Sequence, residues 1–113
     1  MVAKILAENK RLKDINDIRN SNLERYVDIF SKLNCEIHTM PKTNSVPWRF
    51  TVSFESEEEV SEVTKRIRVL GENASNWYSS LKFSFPNCKF PPLNGADYIS
   101  KRLLNLWVDE SLE

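Results

Sequence analysis

The sequence predicts an α/β (α+β) fold in which helices pack on a short sheet, and three patterns carry that prediction. Over residues 2–33, Leu12, Ile15 and Ile18, then Leu23, Tyr26, Val27, Phe30 and Leu33, recur at helical spacing. Residues Trp48 to Phe54 alternate, with Trp48, Phe50, Val52 and Phe54 on one side and Arg49, Thr51 and Ser53 on the other, as in a strand with one buried face. Ser56 followed by Glu59 forms a capping box, and Val60, Val63, Ile67 and Leu70 continue it as a helical stripe that ends at Gly71. A chain of 113 residues has material for one core, so the expected organisation is a single domain, 1–113. Within it, 1–33 is a leading helix and 34–113 an α/β sandwich.

The elements follow in order. The first helix is uninterrupted by Pro or Gly and is polar on its far side through Lys10, Lys13, Asp17, Asn20, Glu24 and Asp28. Its stripe changes phase at Asn20, Ser21 and Asn22, where helix propensity is weak, so the pattern allows one long helix or a kinked pair. Asn34 to Pro47 is a connection with a short apolar alternation at Ile37 and Met40, closed by Pro41 and Pro47. After the capped helix, residues 72–94 read as an aromatic loop with a strand or two, including alternating Phe83 and Phe85. A final helix is expected from Ala96 to Asn105 with Ile99, Leu103 and Leu106 on one side, running into a short strand at Leu106, Trp107 and Val108.

Composition excludes several function classes. Sixteen Lys and Arg balance sixteen Asp and Glu, so no net field draws the chain to nucleic acid or to an anionic membrane. Cys35 and Cys88 are far apart and the chain has one His, which signals neither a zinc site nor a disulfide framework; no metal is expected. Only Gly71 and Gly95 are present, too few for a glycine-rich phosphate loop. No secretory signal or membrane-spanning run is evident, and a cytoplasmic location with free thiols is expected.

No catalytic residue emerges. His38 has no Cys or Asp spaced to form a triad with it and reads as an edge-strand histidine. Glu57, Glu58 and Glu59 suit a helix N-terminus, and Lys65, Arg66 and Arg68 suit its C-terminus. Arg49, on the polar side of the best strand, has two readings: an anion contact for phosphate or carboxylate, or a strand-face ion pair. Asn76, Trp77 and Tyr78 place amide, indole and phenol together on a loop, a set that suits a sugar or nucleotide base and equally anchors a loop to a core. Asn76, Trp77, Tyr78 and Arg49 are therefore the candidate substrate-binding residues.

Taken in order, these segments resemble the DegT/DnrJ/EryC1/StrS aminotransferases. Arg19, Leu23, Tyr26 and Phe30 are spaced as in that family's R-x-x-x-A-x-x-Y-x-x-x-L helix, which leads from the large domain into the small one. A Pro-bounded loop, an aromatic strand, a helix ending at a Gly, and an aromatic pair at Trp77 and Tyr78 follow in the family's order. The segment from Ala96 to Leu106 is similar to its terminal A-x-x-h-x-x-R-x-L-x-L helix. Ser79, Ser80 and Leu81 stand where the family has Pro and His after its tyrosine, and Leu106-Trp107-Val108-Asp109 stands where it has Leu-Pro.

The resemblance implies the small C-terminal domain of a fold-type I enzyme whose pyridoxal phosphate is held by a lysine of the large domain. None of the nine lysines here lies in that glycine-rich context, so the chain alone is expected to bind no cofactor and to be inactive. The implied partners are the missing large domain and a sugar-nucleotide substrate, in a homo-oligomer serving amino-sugar and cell-surface polysaccharide biosynthesis. A free-standing protein-interaction module that pairs through its strand edges is the alternative.

Overall fold

A computed structural model describes residues 1–40, 45–76, 79–80, 84–89, 91 and 94–109. In chain order its elements are α1 (Val2–Phe30), β1 (Glu36–Ile37), β2 (Arg49–Ser53), α2 (Glu57–Val69), β3 (Ala74–Ser75), α3 (Asn94–Ser100) and β4 (Leu103–Trp107). The four strands form one antiparallel sheet in the order β1-β2-β4-β3. The described residues thus make an α/β arrangement of three helices on a four-stranded sheet, as the sequence patterns imply.

Register divides the sheet into two faces. Phe50 pairs with Leu106, which pairs with Ala74, and Val52 pairs with Leu104. These side chains join Leu23, Phe30, Phe54, Val60 and Val108 in one buried core, with Tyr26, Val63 and Ile67 packed against it. Both α1 and α2 therefore cover the same face. The other face carries Arg49 opposite Trp107, and Thr51 opposite Asn105, which is in turn opposite Ser75. The Thr51 hydroxyl donates to Asn105 Oδ1 at 2.8 Å, satisfying part of an Asn105 side chain that is almost wholly buried.

α1 is one continuous helix of 29 residues, passing through Asn20, Ser21 and Asn22, and it stops at Phe30 rather than Leu33. Asn22 is buried, and its amide donates to the Asp109 carbonyl at 2.9 Å, so a polar contact holds the segment with weak helix propensity in place. Only the second half of α1 packs: residues 1–14 are all exposed. Leu12, Ile18 and Leu33, read from the sequence as part of the buried stripe, are exposed.

α2 is built as its sequence dictates. Ser56 Oγ accepts from the Glu59 N–H at 3.2 Å, and Glu59 Oε2 accepts from the Ser56 N–H at 3.3 Å. The helix ends in Gly71 at φ 89°, in the left-handed region open to glycine. Leu70, expected in the apolar stripe, is instead the exposed C-cap, while Thr64 is buried with its hydroxyl on the Val60 carbonyl.

Three further expectations are corrected. Trp48 is 63% exposed, because the β2 ladder begins one residue later and the alternation does not extend back to it. Met40 is exposed. The last helix ends at Ser100, and Leu103 to Trp107 form β4 in the interior of the sheet. Leu104, Leu106 and Val108 alternate with Leu103, Asn105 and Trp107, and two strands are available to pair with this segment, so the ladder prevails over helical continuation.

Candidate functional site

The structure places Arg49 and Asn76 apart. Arg49 pairs across β2 and β4 with Trp107, on the sheet face opposite the one that α1 and α2 cover. Asn76 follows β3 two residues after Ala74, on the helix-covered side of the sheet's far edge. β4 lies between β2 and β3, so these two residues do not share a site. Trp77 and Tyr78 lie outside the described residues.

Asn76 is exposed and lines an open cleft of about 590 Å³ beside α2. Val60 forms apolar lining, while Ser61, Glu62, Lys65, Ser79 and Lys101 supply hydroxyl, carboxylate and ammonium groups. Lys101 reaches Glu57 across the cleft at 3.9 Å, an exposed pair that is weak in water. Such a lining can hydrogen-bond a polyhydroxylated ligand, but it includes no imidazole or thiol to serve as base or nucleophile.

The other polar candidates resolve into structural roles. Arg68 Nε donates to the Ala74 carbonyl at 3.0 Å, tying the end of α2 to β3, and Arg66 Nε pairs with Glu62 at 2.8 Å along the helix. His38 donates its backbone N–H to the Thr51 carbonyl, and its Nε2 lies 2.8 Å from Ser53 Oγ, which fits an edge-strand histidine. Among the described residues no group of three or more His, Cys, Asp and Glu is placed to hold a metal ion. No described helix is long and apolar enough to cross a membrane.

Arg102 was quoted in the sequence only as part of a terminal motif, and the structure gives it a definite role. Its Nε donates to the Glu55 carbonyl and its Nη1 to the Tyr98 carbonyl, each at 2.9 Å, while its guanidinium lies 3.9 Å from the Tyr98 ring centroid. One side chain thus joins the end of α3 to the β2–α2 connection. Burial of Tyr26 among α1 and β2 pushes its hydroxyl up to about 12, with smaller contributions from the negative charges of Glu72 and Asp109. Burial also raises the Cys35 thiol, which lies against the Phe30 carbonyl. Neither group is activated.

A pyridoxal phosphate pocket needs an enclosed lysine, and every lysine among the described residues is exposed. The described residues therefore do not fit that cofactor.

No family model matches the sequence, and no curated protein matches it. Solved structures do. The aminotransferase TlmJ from Streptoalloteichus hindustanus superposes with a TM-score of 0.76 at 17% identity, over 95% of this chain and 30% of that one. A DegT DnrJ EryC1 StrS aminotransferase from Brucella abortus gives a TM-score of 0.67 at 17% identity, over 96% of this chain and 30% of that one. The chain thus has the fold of one part of these aminotransferases and spans about a third of their length.

Proposed function

We propose that this chain is the C-terminal portion of a pyridoxal-phosphate-dependent sugar-nucleotide aminotransferase, acting in the cytoplasm in amino-sugar or cell-surface polysaccharide synthesis. What carries the proposal is that nearly the whole chain superposes on less than a third of an aminotransferase. The order of sequence segments that resembles the DegT/DnrJ/EryC1/StrS family agrees with it. The cofactor, when bound, supplies the electron sink for amino transfer, and a lysine-bearing large domain would hold it. That large domain, a sugar-nucleotide substrate and a second copy of the enzyme are the proposed partners; nucleic acid and membrane are not.

In this role the chain contributes one wall of the substrate site. Asn76 and its cleft suit hydroxyl-rich chemistry, and Trp77 and Tyr78 follow directly in sequence. Pairing with another protein through strand edges has less support, because the edge strands β1 and β3 are two residues long and offer few backbone groups.

The test begins with the genomic DNA upstream of the codon for Met1, where coding sequence for a lysine-bearing large domain is expected. Coexpression of the two should give sugar-nucleotide amino transfer. In that assembly, Trp77→Ala and Tyr78→Phe should lower turnover per folded molecule while leaving the cofactor spectrum unchanged. Absence of such a domain, together with a stable monomer of the chain alone, would refute the proposal.

A further inference from the structure

We infer that Arg102 is a positioning residue that sets the separation of the two walls of the cleft beside Asn76. One wall is α2, with Glu57, Ser61, Glu62 and Lys65, and the other is the end of α3, with Ser100 and Lys101. Packing does not fix their spacing. No residue of α3 is buried, and a second open space of about 410 Å³, bounded by Ser56 and Glu58 on one side and by Asn94 and Asp97 on the other, lies between the same two elements. A helix of seven residues is too short to hold its own place.

The Arg102 side chain spans this gap. Glu55, whose carbonyl accepts from Nε, lies two residues before Glu57 in the first wall, and Tyr98, whose carbonyl accepts from Nη1, lies two residues before Ser100 in the second. The bond to Tyr98 alone is what any basic residue past a helix end can make to the last carbonyls. The bond to Glu55 is different, because it crosses to a segment 47 residues away. Main-chain bonds fix the base of the side chain: the Arg102 N–H donates to the Ile99 carbonyl and the Phe54 N–H to the Arg102 carbonyl, each at 3.0 Å. Nε and Nη1 belong to one rigid plane, so the two bonds together set the distance and the angle between the carbonyls. The Tyr98 ring against the guanidinium keeps that plane from turning. Lys101 and Glu57 also face each other across the cleft, but at 3.9 Å and in solvent that pair adds little restraint.

A ligand entering the cleft then meets walls already at their working distance and is spared the cost of ordering Ser100 and Lys101. That the ligand is a sugar nucleotide rests on the proposed function; that Arg102 fixes the walls does not.

The test measures the spacing and its effect on binding. Spin labels are placed at Val69→Cys of α2 and Ala96→Cys of α3, exposed positions outside both linings, in a chain carrying Cys35→Ser and Cys88→Ser. The parent chain should give a narrow distance distribution, and Arg102→Ala and Arg102→Lys should both broaden it while amide exchange in β2 and β4 stays slow. Lysine should not substitute, because an ammonium does not hold two donors in one plane. In the assembly with a large domain, both variants should raise KM for the sugar nucleotide about tenfold, the expected cost of ordering a free wall, with kcat and the cofactor spectrum nearly unchanged. Should Arg102→Ala not fold, Arg102→Lys decides.

A distribution as narrow in the variants as in the parent, an Arg102→Lys chain indistinguishable from the parent, or a broadened distribution with an unchanged KM overturns the inference. A fall in kcat in step with loss of folded protein, at constant KM, shows a purely structural residue and overturns it too. A wild-type assembly without turnover refutes the aminotransferase reading instead, and the spin-label distances then decide whether Arg102 fixes the walls.

Discussion

Tyr26 of α1 stacks on Phe50 of β2, with ring centroids 5.3 Å apart and 16° between the planes, and Phe30 meets the same Phe50 ring at 5.2 Å. Phe50 is fully buried, so it joins the packed half of α1 to the sheet. Phe50→Ala should destabilise the fold by about 3 to 5 kcal/mol in chemical denaturation, the range for deleting a core aromatic. A loss below about 1 kcal/mol would mean that the site collapses around the missing ring, contrary to the packing described.

The Tyr26 hydroxyl gives stability a dependence on alkaline pH. In the folded chain it keeps its proton up to about 12, whereas an unfolded tyrosine releases it at its ordinary value of 10.0. Its contribution is therefore fully present below pH 10 and is lost as the pH rises toward 12. Urea unfolding of wild type and Tyr26→Phe at a series of pH values should show the wild type losing stability across this window more steeply than the variant. Parallel curves would contradict the assignment.

The first half of α1 should make the isolated chain associate. At 3.6 residues per turn, Ile5 and Leu12 fall on the same face as the buried Leu23 and Phe30, so the apolar side of the helix continues beyond the part that packs. Light scattering at rising concentration should report oligomers. Ile5→Glu combined with Leu12→Glu should restore a monomer without loss of secondary structure. A wild-type chain that is monomeric throughout and binds no hydrophobic dye would rule this out.

The chain alone should not take up pyridoxal phosphate at a single lysine. Every described lysine is exposed, and none has the enclosed surroundings that select one amine for a stable adduct. After incubation with the cofactor and borohydride reduction, mass spectrometry should find no stoichiometric modification at one site. One fully modified lysine would reverse this.

Local signals in the sequence were readable where the chemistry is local. Ser56, Glu59 and Gly71 set the ends of α2 through contacts a few residues apart, and the capping box forms as written. Phe50 and Val52 were placed on the core face by alternation alone. Trp48 and Leu70 were misplaced because periodicity does not say where an element stops. β4 was mistaken for the end of a helix because Leu103 and Leu106 also suit a helical spacing, and only its two partner strands decide the matter. Of the candidate site residues, Asn76 was read as lying on a loop after a helix; that β3 comes between, and that Asn76 is separated from Arg49, depends on strand pairing and order, which no local pattern encodes.

The strand order also governs how this chain can be made. β2 and β3 are not neighbours; each pairs with β4, whose residues Leu103–Trp107 are among the last described. During synthesis the ribosome releases β2, α2 and β3 before the strand that joins them exists, so the sheet cannot close until nearly all of these 113 residues have emerged. In that interval Phe50 and Val52 lack the Leu106 and Leu104 that later face them across the ladder. A premature stop before Leu103 would therefore leave a product in which β2 and β3 have no strand between them to pair with.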